Sequence, residues 1–91
     1  MDVIEKYLRE NSIGRAKPIC SRKLAAVFGV PTTTIRHMIN KERTCGSPIA
    51  SCQSGYYLAS DREDIVGTIQ SLRGHIHKME SAIAGLESYL N

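Results

Sequence analysis

From Ile65 to Leu90 the apolar residues recur in steps of 4, 3, 4, 3, 4, 3 and 4: Ile65, Ile69, Leu72, Ile76, Met79, Ile83, Leu86 and Leu90. A strand repeats every second residue, so this spacing admits a helix with one apolar seam along its side. Ile69, Ile76, Ile83 and Leu90 take the a positions of a heptad, and Ile65, Leu72, Met79 and Leu86 the d positions. β-branched a residues with Leu-like d residues favour a two-stranded coil. The seam covers 26 residues, about 39 Å of helix. A head of 60 residues is too small to bury a stripe that long. Its first turns, through Ile69 or Leu72, are expected to fold onto that head. The seam from Ile69 through Leu72, Ile76, Met79, Ile83 and Leu86 to Leu90 is expected to seek a second copy, as a homodimer or a higher assembly. Few charges flank it (Arg73, Glu80, Glu87), so strand orientation stays open, and Ala82, Ala84 and Gly85 would permit a close antiparallel or four-helix arrangement. Ser60-Asp61-Arg62-Glu63 reads as the capping box that starts the helix, with Ser60 at N-cap and Glu63 at N3.

Ninety-one residues make one domain's worth of chain, with one modest core. The net charge of +3 is unevenly spread. Between Asn11 and Ser60 seven cations (Arg15, Lys17, Arg22, Lys23, Arg36, Lys41, Arg43) face the single acid Glu42, a net +6. From Asp61 onward the balance is −2. The middle of the chain is a cationic module of the kind that attracts phosphate backbones.

Within residues 1–60, Val3, Ile4, Tyr7 and Leu8 outline a short amphipathic helix that stops before Gly14. Ala16 to Cys20 contains Pro18 and suits an edge strand. Ser21 is the expected N-cap of a helix over Arg22–Phe28, Gly29 breaks it, and Pro31 opens a third helix whose inner face is Ile35, Met38 and Ile39. Pro48–Ser51 and Tyr56–Ala59 read as a hairpin linked by Cys52-Gln53-Ser54-Gly55.

The segment SRKLAAVFGVPTTTIRHMIN, Ser21 to Asn40, resembles the helix-turn-helix of bacterial and phage DNA-binding proteins. Ala25 is small where two helices would cross, Gly29 allows the turn, and Ile35 and Met38 would pin the second helix. The following GSPIASCQSGYYLAS, Gly46 to Ser60, is similar to the wing of winged helix-turn-helix domains, prophage proteins among them. Pro31 departs from the Ser N-cap of many relatives. The resemblance implies a mainly α fold with a small β-hairpin: a winged helix-turn-helix head over 1–60 and a long coiled-coil-like dimerisation helix over 61–91. It also implies that the third helix enters the major groove of double-stranded DNA. The outward residues Thr32, Thr33, Arg36, His37 and Asn40 would then meet base edges, Arg36 at guanine and Asn40 at adenine. Lys17, Arg22, Lys23, Lys41 and Arg43 would hold the phosphates, and Gln53 and Ser54 at the wing tip would reach the flanking groove.

Other chemistry is weakly represented. His75 and His77 lie two apart and point to different helix faces. His37, Cys45 and Cys52 have no zinc-site spacing, and Cys20, Cys45 and Cys52 are expected to be reduced, small buried hydrophobes. No catalytic triad, nucleophile elbow or phosphate-cradling glycine loop is visible. The expectation is therefore no enzyme, no metal, no cofactor, no small-molecule substrate and no membrane span, in a cytoplasmic, nucleoid-associated protein. A transcriptional regulator or phage replication-associated factor fits that description. The alternative is a winged-helix adaptor that binds protein and no DNA.

Overall fold

A computed structural model describes residues 2–91. The chain runs α1 (Val3–Asn11), α2 (Ser21–Phe28), α3 (Thr32–Thr44), β1 (Ile49–Cys52), β2 (Gly55–Leu58) and α4 (Arg62–Leu90). The fold is mainly α, with a two-stranded antiparallel hairpin and a long C-terminal helix.

One core holds the head together. Ile4 and Leu8 of α1, Leu24 of α2, Ile35 and Ile39 of α3 and Ile49 and Leu58 of the hairpin form a single buried cluster. Each of these helices turns the face set by its 3.6-residue period inward. Val3 departs from that pattern and stays exposed, because Ile4 and Leu8 already fill the seat of α1. The rings of Tyr7 and Phe28 meet edge to face at 5.8 Å, closing the gap between α1 and α2. Gly29 ends α2 in the left-handed conformation, with φ 66°, and Val30 N–H donates to the Ala25 carbonyl. This left-handed turn leads directly into α3.

Several boundaries differ from expectation, each for a local reason. Ser21 is the first residue of α2, and Cys20 is the N-cap with no side-chain hydrogen bond. Pro31 is the N-cap of α3 rather than its first residue, also without a side-chain cap. The hairpin link shortens to Gln53-Ser54, because Cys52 and Gly55 pair across the strands. Ala16–Cys20 forms no strand. Only Ile19 pairs with β2, exchanging two 2.8 Å hydrogen bonds with Tyr56, since the turn at Arg15–Ala16 before it and the start of α2 at Ser21 after it carry the chain off the ladder. The start of α4 shifts by one residue: Asp61 is the N-cap, and its carboxylate accepts from Asp64 N–H at 3.0 Å. Asp64, not Glu63, reaches back and accepts from the Ser60 N–H and hydroxyl.

The hairpin has both flanks engaged. On the β2 side, Leu58 N–H donates to the Ser12 carbonyl and Gly14 N–H to the Leu58 carbonyl. On the β1 side, Ser51 N–H donates to the Thr68 hydroxyl, which itself donates to the Asp64 carbonyl. Thr68 is the buried point of α4 and ties its second turn to the sheet edge. The first turns of α4 thus pack on the head, as the sequence implies. From Ile69 to the end every residue is exposed.

Candidate nucleic-acid interface

The charge of the head is sorted by burial. Glu42, the one acid between Asn11 and Ser60, is 3% exposed. Its carboxylate accepts from the N–H groups of Ile4 (3.0 Å) and Glu5 (2.9 Å), so it caps α1 from a distance of almost forty residues. A carboxylate there meets the orphan donors and positive dipole end of α1. The surface of this segment keeps no acid to offset its cations.

Arg43 is also withdrawn. Its Nε donates to the Ile49 carbonyl at 2.9 Å, Nη2 donates to Ser51 Oγ at 3.2 Å, and the guanidinium lies 5.8 Å from the Tyr56 ring centroid. Burial pulls its pKa below the ordinary guanidinium value, while neighbouring Tyr56 pushes it up. Arg43 therefore splices α3 to β1 and leaves the phosphate-holding set expected from sequence. Six cations remain exposed: Arg15, Lys17, Arg22, Lys23, Arg36 and Lys41.

The other expected contact residues lie at the surface. On α3, Thr33, Arg36, His37 and Asn40 are exposed and Thr32 is half-buried. Ile35, Ile39 and Glu42 occupy the opposite, buried face of the same helix. Spacings of three and four put Thr33, Arg36, His37 and Asn40 on one outer stripe, with Lys41 beside it. Among the described residues, the side chains of Arg36, His37 and Asn40 find no hydrogen-bond or ion-pair partner. A second group gathers at the hairpin tip. Lys17, Lys23 and Ser54 line one open cleft, and Arg15, Gln53 and Ser54 line its neighbour. The tip is thus drawn to the start of α2, where Arg22 also projects.

The four helix starts fall into two kinds. α1 is capped by Glu42 and α4 by Asp61. α2 and α3 have no side-chain cap, so their first N–H groups remain available to an anion. The open starts belong to the two helices that carry Arg22, Lys23 and Arg36.

The thiols are not core residues. Cys20 and Cys45 are exposed and Cys52 is half-buried, because each sits at an element boundary rather than on an inward face. Among the described residues no group of three metal-binding side chains converges. No helix among them is long and apolar enough to cross a membrane. Sequence reasoning missed the role of Glu42; a lone acid amid seven cations was the available signal. Compared with protein-family models, curated proteins and solved structures, the chain matches none.

Proposed function

We propose that this protein is a sequence-specific double-stranded DNA-binding protein of the winged helix-turn-helix kind, without enzymatic activity, acting as a dimer through α4. The observation that carries this reading is the sorting of charge: six exposed cations and no exposed acid between Asn11 and Ser60. An ordinary solvated surface mixes both signs. The uncapped starts of α2 and α3 add backbone donors for phosphates. The outer stripe of α3 offers Arg36 for guanine and Asn40 for adenine in a major groove. Lys17, Arg22 and Lys23, with Gln53 and Ser54 at the hairpin tip, hold the flanking backbone and groove.

The self-complementary seam of α4 makes such a head bivalent. Two modest sites on one rigid dimer gain affinity through effective concentration. A symmetric dimer would read an inverted repeat, with half-sites whole helical turns apart. A regulator or replication-associated factor of bacterial or phage type, bound to the nucleoid, fits this reading.

Selection of bound sequences from a random duplex pool tests binding, specificity and half-site symmetry together. On the selected site, Arg36→Ala should cost about 1–3 kcal/mol and relax preference at one position. Lys23→Ala should weaken all duplexes alike and lower the salt slope by about one. No measurable duplex affinity at about 50 mM salt would reject the reading in favour of a protein-binding adaptor.

A further inference from the structure

The exposed stripe of α4 carries more than a tendency to pair; it encodes an orientation. This inference rests on the dimer reading above. We propose that two copies pair their α4 helices antiparallel, in the register that sets Ile76 of one chain against Met79 of the other.

In that register an a residue faces a d residue of the second copy at every layer. Ile65 meets Leu90, Ile69 meets Leu86, Leu72 meets Ile83 and Ile76 meets Met79, and symmetry repeats all four. Each layer joins one β-branched Ile to one Leu or Met, neither of which is branched at Cβ. The seam breaks its own habit at both ends, with Ile65 at d and Leu90 at a. Those two exceptions are what keep the end layers mixed. A parallel pair would instead stack Ile65 on Ile65 and Leu90 on Leu90.

Charge selects the same register. Arg73, Glu80 and Glu87 all lie at e, on one flank of the seam. Antiparallel pairing places Arg73 of each copy between the same two layers as Glu80 of the other. Two Arg–Glu pairs form, and His75 falls opposite Ala82. Slipping one heptad one way sets Arg73 against Arg73; slipping the other way sets Arg73 against Glu87 but Glu80 against Glu80 and gives up two of the eight layers. Parallel pairing sets Arg73 near Thr68, Glu80 near His75 and Glu87 near Ala82, with no Arg–Glu pair.

The head supplies a third argument. Exposure rises along the seam, from 43% at Ile69 and 39% at Leu72 to 72% at Leu86 and 84% at Leu90. The covered end is shielded by its own head. There Ile49, Arg43 and Ser47 join Ile65, Ile69 and Leu72 around a cleft of about 190 Å³. Antiparallel pairing brings the barest end of each helix, Leu86 and Leu90, level with that cleft on the other copy. Parallel pairing would crowd two heads onto one flank. The two heads then stand at opposite ends, with the Arg62 positions about 46 Å apart along the axis.

Disulfide trapping tests this on the full chain with Cys20, Cys45 and Cys52 changed to Ser. Mixed Ile69→Cys and Leu86→Cys chains should oxidise to a cross-linked heterodimer. Leu86→Cys alone should not cross-link, because its two copies lie about 26 Å apart along the axis. Independently, R73E should raise the dimer Kd about tenfold, and R73E/E80R should restore it. Self-cross-linking of Leu86→Cys without the mixed product overturns the orientation and leaves the dimer standing. Indifference of the dimer to R73E, with no mixed cross-link, also overturns it. A monomer in sedimentation equilibrium at about 100 μM sinks the dimer reading itself.

Discussion

The head and the free part of α4 use the same residue types to opposite ends. In the head, Ile4, Leu8, Leu24 and Ile35 are fully buried, and Ile39 is 1% exposed. Beyond Leu72 the equally apolar Ile76, Met79, Ile83 and Leu86 are all more than half exposed. Composition cannot separate these regions; periodicity and closure can. The head's apolar faces come from three helices and a hairpin that converge on one centre. The seam of α4 outruns anything the head could lay against it. A head of this kind closes on itself, whereas the seam is left uncovered. Soluble monomers rarely leave so long an apolar stripe uncovered.

Truncating a side chain in each region should break the comparison most sharply if it is wrong. Leu24→Ala and Ile39→Ala remove fully buried methyl groups and should each cost about 2–5 kcal/mol of head stability, at any protein concentration. Ile83→Ala should leave the unfolding of dilute protein unchanged and weaken only the dimer. Denaturant titrations at two widely separated concentrations resolve these outcomes. An Ile83→Ala loss equal to that of Ile39→Ala in dilute protein would mean that the seam belongs to the head.

Glycines give a second contrast, of opposite sign. Gly55 has φ 144°, and a Cβ there would lie 2.5 Å from the Ile19 carbonyl carbon and oxygen. The hairpin needs this residue bare so that the Ile19 backbone can pair alongside. Gly55→Ala should therefore cost about 1–3 kcal/mol from conformation alone, plus the clash. Gly74 sits on the outer face of α4 with open space around its α-carbon. Gly74→Ala should stabilise that helix by about 1 kcal/mol. Thermal melts of both variants decide the matter. A neutral Gly55→Ala would show that the pairing to Ile19 is dispensable.

How much of this was legible in advance follows from range. The four helices, the hairpin and the seam are written in local periodicity, and Gly29 marks its turn by itself. Helix starts were misplaced by one residue because Ser21 and Ser60 are good caps locally, while the chain before them decides which residue turns. Arg43 was read as a phosphate ligand because nothing local reveals that Ile49 and Ser51 will receive it. Glu42 is the extreme case, since its partners are the N–H groups of Ile4 and Glu5. Glu42→Gln keeps the shape and removes the charge from the α1 start. It should cost about 1–2 kcal/mol. It also adds one formal charge to the head without touching the surface, so the salt slope of the proposed DNA binding should not move. A changed slope would mean that Glu42 is felt outside, against its burial.

The smallest expected effect lies at the joint between the two regions. Hydrogen bonds from Ser60, first the backbone N–H and then the hydroxyl, hold the pKa of Asp64 below its ordinary value of 3.8. Burial opposes this, and the Asp61 N–H and Tyr57 hydroxyl assist. A carboxylate depressed in the fold contributes stability above its unfolded pKa and loses it as pH falls through the folded value. The contribution should be fully present at neutral pH and fade only below about pH 4. Glu5 behaves alike, its pKa lowered by Ser47 and then Arg9, so the wild-type drift with acid is a sum of both. Asp64→Asn should lose that share at neutral pH, converge on the parent in strong acid and show a shallower acid drift. That drift should follow the head's melting, since Asp64 caps the tethered start of α4. Acid titration of the melting temperature in parent, Asp64→Asn and Glu5→Gln separates the two carboxylates. Parallel curves for parent and Asp64→Asn would show that the cap at Asp64 is not what fastens the long helix to the head.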